Sequence, residues 1–181
     1  AEYGAFDNLT SYVQPGRPDS VKTSIYYGST DAEKKKRLPL RIDSPLNIRT
    51  NNQYDSMGNR TYSYQIDAMD GSCVIESRQS YTADGNHVAT KTDARGKVVS
   101  YVTDLAKDTL TSVTDPNGQS VAYTYDSRRR VTSTTATAGD MTYKNAYTYE
   151  NDRLKTVAHN TTGDTPDVTY TFDYDAFGHP T

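Results

Sequence analysis

The chain has 181 residues, with hydrophobic residues at 34%, 16 tyrosines, no tryptophan and a formal net charge of −3. A mean hydropathy of −0.84 and a pI near 5.6 argue against a domain built on one sizeable core, and exclude the broad basic face that nucleic acid requires. The tyrosines and near-balanced charges exclude compositional disorder, and no stretch approaches the ~20 apolar residues that span a bilayer.

In chain order, the first 51 residues read as divergent repeats. Tyr3-Gly4-Ala5-Phe6-Asp7-Asn8-Leu9-Thr10 mirrors the closing Tyr174-Asp175-Ala176-Phe177-Gly178-His179-Pro180-Thr181, with Asp and Gly exchanged. A further copy has room between Tyr26 and Leu46. Within it, residues 31–37 form a loop or short helix, with Asp31 as cap before the basic run Lys34-Lys35-Lys36-Arg37. From residue 52 to 181 a tyrosine-led phrase returns. It stands at Tyr54-Asp55-Ser56-Met57-Gly58, at Tyr81-Thr82-Ala83-Asp84-Gly85, in worn form at Thr103-Asp104-Leu105, at Tyr125-Asp126, Tyr149-Glu150 and Tyr174-Asp175. The last three copies are 24 and 25 residues apart, and such a period marks a repeat architecture.

A second phrase falls between these, at Asp93-Ala94-Arg95-Gly96 and Asp115-Pro116-Asn117-Gly118, with weaker forms at Ala138-Gly139-Asp140 and Thr162-Gly163-Asp164. Two turn signals per period imply two strands per period. Tyr62 with Tyr64, Tyr123 with Tyr125, and Tyr147 with Tyr149 recur at i and i+2, the spacing of one strand face. Thr and Val fill the remaining places. The glycines and asparagines supply the positive φ of tight hairpins. Arg129 stands where Gly58 and Gly178 stand, and the Tyr149 copy is one residue shorter, so both turns are expected to have another geometry. The repeating aspartates Asp55, Asp126 and Asp175 are expected to bond nearby backbone amides.

Catalytic signals are thin. Cys73 is the only cysteine, so the chain holds neither an internal disulfide nor a thiolate metal site, and it reads as a buried or half-buried strand residue. No spacing places His87, His159 or His179 beside it. Asp67 and Asp70 before Gly71 lack the alternating series and distal Glu of a calcium loop, and read as a hairpin turn. No cofactor and no metal is expected. Arg128-Arg129-Arg130 reads as solvated turn charge, with contact to a sulfated or acidic glycan as the alternative. Three N-glycosylation sequons begin at Asn8, Asn59 and Asn160, a number that a threonine-rich chain produces by chance.

The alternation of a Tyr-Asp-x-x-Gly phrase with an Asp-x-x-Gly phrase resembles the YD repeats of the RHS family, which includes bacterial polymorphic toxins, the shell component of insecticidal toxin complexes and, more distantly, the teneurins. The resemblance is clear over residues 52–181. It implies an all-β fold of repetitive antiparallel hairpins in one continuous, twisted and coiling sheet, an arc of an RHS-type shell. It assigns structural roles to Tyr54, Asp55, Gly58, Asp84, Gly85, Asp93, Gly96, Asp115, Gly118, Tyr123, Tyr125, Asp126, Tyr149, Tyr174, Asp175 and Gly178. Asp115-Pro116-Asn117-Gly118 also matches the letters of the family's self-cleavage phrase, but an ordinary repeat phrase follows it, so a β-turn is expected.

The function implied is structural and non-enzymatic: part of a β-shell enclosing a toxin or other cargo in a large secreted or surface-exposed bacterial protein. The partners implied are further repeats and a C-terminal toxin cargo of its own longer chain. The alternative is a cell-surface binding module that contacts glycans or a protein through Tyr/Arg-rich hairpin edges. The chain begins at Ala1 and closes on a turn phrase, so it is expected to be a piece of a longer protein, holding about seven units and about fourteen strands.

Overall fold

The computed structural model describes residues 1–13, 18, 21–160 and 165–181, with the backbone alone for Cys73 and Val74. Among the described residues fifteen strands lie in one sheet in chain order, each beside its sequence neighbours, and every ladder whose register is defined is antiparallel. The chain divides into two compact units, Ala1–Lys97 and Val98–Thr181.

The first unit holds β1 (Glu2–Tyr3), β2 (Leu9–Val13), β3 (Lys22–Tyr26), α1 (Asp31–Lys35), β4 (Arg41–Asp43), β5 (Ile48–Tyr54), β6 (Arg60–Asp67), β7 (Cys73–Tyr81) and β8 (Val88–Thr92). The short helix is an insertion between β3 and β4. Its cap is Thr30, not the expected Asp31: Thr30 Oγ1 accepts the Glu33 amide at 3.2 Å, and Glu33 Oε2 accepts the Thr30 amide at 3.0 Å. A Thr with Glu three residues on closes a reciprocal capping box, which leaves Asp31 as the first helical residue.

The second unit holds β9 (Val98–Asp104), β10 (Thr109–Thr114), β11 (Ser120–Tyr125), β12 (Val131–Ala138), β13 (Met141–Glu150), β14 (Arg153–Asn160) and β15 (Val168–Thr171). Alternation explains each strand's two faces. In β11, Val121, Tyr123 and Tyr125 are half-buried, whereas Ala122 and Thr124 are exposed. The turn phrase expected at Thr162-Gly163-Asp164 lies outside the described residues, as does the Cys73 side chain.

Among the described residues no hydrophobic side chain is buried, and the buried ones are all polar: Asn8, Ser11, Asn52, Thr109 and Asn160. A single layer of sheet has no second layer to close over its apolar face. Most of the tyrosines therefore lie half-covered, while Tyr3, Tyr12, Tyr26, Tyr143 and Tyr170 are exposed, and polar bonds between strands take over much of the task of fixing the fold.

Candidate functional site

The turn phrases are built alike. In each Asp-x-x-x-x turn the aspartate amide donates to the carbonyl four residues on, and its own carbonyl accepts the amide three residues on, at Asp55, Asp93, Asp115, Asp126 and Asp175. One carboxylate oxygen then accepts the amides of residues i+2 and i+4, at 2.8 to 3.0 Å in all five turns. This is an Asx-type closure that satisfies backbone donors the ladder leaves open. The Asp115-Pro116-Asn117-Gly118 phrase forms the same turn and leads directly into β11.

The expected exception at Arg129 does not occur. Arg129 takes φ 62° in the position where Gly118 has 82° and Gly178 has 91°, and its amide reaches the Asp126 carbonyl at 3.0 Å. Asp126 makes enough bonds to hold a non-glycine residue in the left-handed region. The shorter Tyr149 copy does differ: Asn151 and Asp152 both have positive φ, at 50° and 64°, between the paired Glu150 and Arg153. That is the two-residue hairpin of type I′. Asp84 and Gly85 sit in a longer turn, closed by the Thr82 amide on the His87 carbonyl at 2.9 Å. Asp67 and Asp70 each accept a turn amide, at 2.8 Å, from Met69 and Ser72.

Turns led by a tyrosine carry a second clamp. The other carboxylate oxygen accepts from the side chain at i+4: Asn59 Nδ2 on Asp55 at 3.3 Å, Arg130 Nε on Asp126 at 2.7 Å, and the His179 ring on Asp175 at 3.0 Å. The backbone amides of Asn59, Arg130 and His179 hold these three carboxyls below the usual carboxylate range, since each bond favours the charged form.

The tyrosines themselves bind repeat to repeat. Opposite four of them the register slips by a residue: Tyr54 faces Arg60 with Thr61 extra, Tyr81 faces Val88 with Ala89 extra, Tyr125 faces Val131 with Thr132 extra, and Tyr149 faces Leu154 with Lys155 extra. The same slip sets Thr10 and Thr111 aside. Such a bulge leaves a residue out of the ladder. The hydroxyl of a tyrosine farther along the chain donates to the carbonyl just before the extra residue. Tyr27 reaches Leu9, Tyr81 reaches Arg60, Tyr125 reaches Leu110, Tyr149 reaches Val131 and Tyr174 reaches Leu154, at 2.7 to 3.2 Å. Tyr54 makes the equivalent bond to Pro39 at 2.9 Å. Burial raises the hydroxyl pKa of Tyr54 and Tyr125. Tyr123 lies beside Tyr125 on the same face of β11 and makes no such bond to the backbone of the described residues.

The arginine run is engaged by its own chain. Arg128 pairs with Asp152, Arg130 with Asp126 at 2.7 Å and Asp152 at 2.9 Å, and Arg129 with Asp108 at 3.9 Å. Arg130 also lies over the Tyr149 ring at 4.4 Å, and Arg153 over Tyr174 at 5.4 Å. Among the described residues, no group of three or more His, Cys, Asp or Glu side chains is placed to hold a metal ion. His159 bonds Asn145 at 2.8 Å. No helix among the described residues is long and apolar enough to cross a membrane.

Sequence reasoning missed the bulged threonines, the i+4 side chains and Tyr27. The i+4 side chains Asn59, Arg130 and His179 each stand five residues after their tyrosine, Tyr54, Tyr125 and Tyr174, so the period could have shown them. Tyr27 is hidden by the α1 insertion that follows it.

Residues 106–141 match the RHS Repeat family. No curated protein matches the sequence. Among solved structures, the chain is similar to the crystal structure of TcdB2-TccC3-Cdc42, with 14% identity and a TM-score of 0.46 over 86% of this chain and 10% of that one. It is likewise similar to TcdB2-TccC3, at 14% identity and a TM-score of 0.45 over 84% and 10%. The Photorhabdus luminescens Tc holotoxin pore gives 14% and 0.45 over 87% and 10%. The chain spans about a tenth of each of these chains.

Proposed function

We propose that this chain, which carries an RHS repeat, is a non-catalytic wall segment of a larger secreted or surface-exposed RHS-type protein, in which further repeats extend the sheet until it encloses a toxin or other cargo. The observation that carries this reading is the way the sheet is held. Strands follow chain order, tyrosines tie each repeat to the one before, and no apolar core bounds the described structure. A sheet of that kind grows by adding hairpins and gains no new requirement with length. It suits a wall. Arg128 and Arg130, already matched by Asp126 and Asp152, offer little charge to an outside ligand.

Limited proteolysis of the full-length parent protein tests this. A cargo segment resistant to protease in the native protein, and cleaved once the sheet is denatured, is the expected result. Cleavage of every segment outside the sheet, together with saturable glycan binding lost in the triple variant R128A/R129A/R130A, would replace the wall with a surface binding module.

A further inference from the structure

Comparison of the repeats within the second unit exposes one place left empty. The residue just before the strand position opposite each tyrosine is Arg130 in one copy and Arg153 in the next, and each covers the following tyrosine ring, Tyr149 or Tyr174. In the copy before them that place belongs to Thr109, since Leu110 faces Thr103 as Val131 faces Tyr125. Threonine ends at its γ atoms and cannot lie over Tyr125. What remains is an open groove of about 570 Å³ lined by Thr109, Thr111, Tyr123, Tyr125, Asp104 and Arg129.

The chemistry around this space matches the occupied copies on one side and departs from them on the other. Asp126 Oδ2 holds Arg130 Nε at 2.7 Å, whereas its counterpart, Asp104 Oδ2, meets the largely exposed Lys107 Nζ at 3.5 Å. Asp152, just before Arg153, accepts from Arg130 Nη1 at 2.9 Å. The groove has Arg129, just before Arg130, in that position. Arg129 is 60% exposed, as is its carboxylate contact Asp108.

We propose that the groove receives an arginine side chain from another polypeptide segment, one that carries an acidic residue next to that arginine. The guanidinium lies on the Tyr125 ring as Arg130 lies on Tyr149, an attraction that operates within about 6 Å of a ring centre. It donates to Asp104 Oδ2, and the neighbouring carboxylate of the segment meets Arg129. Lys107 and Arg129 both border the groove, and Asp108 stands 3.9 Å from Arg129, so a lone cation would meet two cations at the rim, which is why the occupant needs both charges. The site is independent of whether the sheet forms a shell.

The test is a titration of the full chain with acetyl-Arg-Asp-amide, followed by amide NMR shifts, with acetyl-Gln-Asp-amide as control. Saturable shifts at Ala106, Thr109 and Arg129 are expected with the arginine peptide and not with the control. Asp104→Asn keeps an oxygen for the turn amides and is expected to weaken binding about tenfold, the loss of one charge-assisted hydrogen bond. Thr109→Arg combined with Arg129→Asp installs the occupant within the chain, as in the next repeat, and is expected to abolish binding while the spectrum stays folded. Equal shifts from both peptides, no saturable shift, or full binding by the filled variant would overturn the proposal.

Discussion

Arg129 shows how strongly one side chain can dictate its neighbours. Its backbone sits at φ 62°, a conformation that costs a non-glycine residue roughly 1–2 kcal/mol, because Asp126 closes the turn with two amides and an arginine. Arg129→Gly is expected to stabilise the fold by about 1 kcal/mol, less the entropy glycine adds to the unfolded chain, as a higher denaturation midpoint. The acid response follows from the same carboxylates. Asp55, Asp126 and Asp175 have pKa values lowered by turn amides. Their contribution is thus complete above the unfolded carboxylate value of about 3.9 and lost as pH falls through the lower folded values. Unfolding in acid is expected to begin below about pH 4, and Asp126→Asn to flatten that slope in a pH-dependent melting series. The aspartates were legible in the sequence as turn residues. The Arg129 turn was not, because residue type alone argued against a left-handed conformation that the surrounding bonds impose.

At the scale of the element, the unit of construction is a hairpin plus the tyrosine of the next repeat. The Tyr149 hydroxyl on the Val131 carbonyl, at 2.7 Å, ties β13 to the start of β12 beside the bulge at Thr132. Tyr149→Phe removes only that hydroxyl. It is expected to cost about 1 kcal/mol and to raise amide exchange in β12 and β13 more than in β9. Unchanged exchange and an unchanged midpoint would show that the bond is incidental. Strand identity was legible from the paired tyrosines at i and i+2. The bulges were not, because a one-residue slip depends on which strands pair. The Thr30 cap was missed for a related reason: two candidates stand side by side, and Glu33 reaches back to only one of them.

Across the whole molecule, low hydropathy and abundant tyrosine are two sides of one design. A sheet of fifteen strands with no buried hydrophobic side chain among its described residues relies on the repetition of modest terms, ladder hydrogen bonds, half-covered rings and cross-strand pairs worth about 0.2–1 kcal/mol each. Repetition made the all-β architecture readable from spacing alone, down to a strand count close to the about fourteen that the period suggests. The groove at Thr109 stayed invisible for the opposite reason. It is a departure from the repeat, and its meaning comes from the arginines that fill the matching place over Tyr149 and Tyr174.

The most direct test of the wall assignment is electron cryomicroscopy of the full-length parent protein. Residues 1–181 are expected to form part of a continuous sheet surrounding an enclosed density. The same strands seen as a projection bathed by solvent on both faces, with nothing enclosed, would contradict the account.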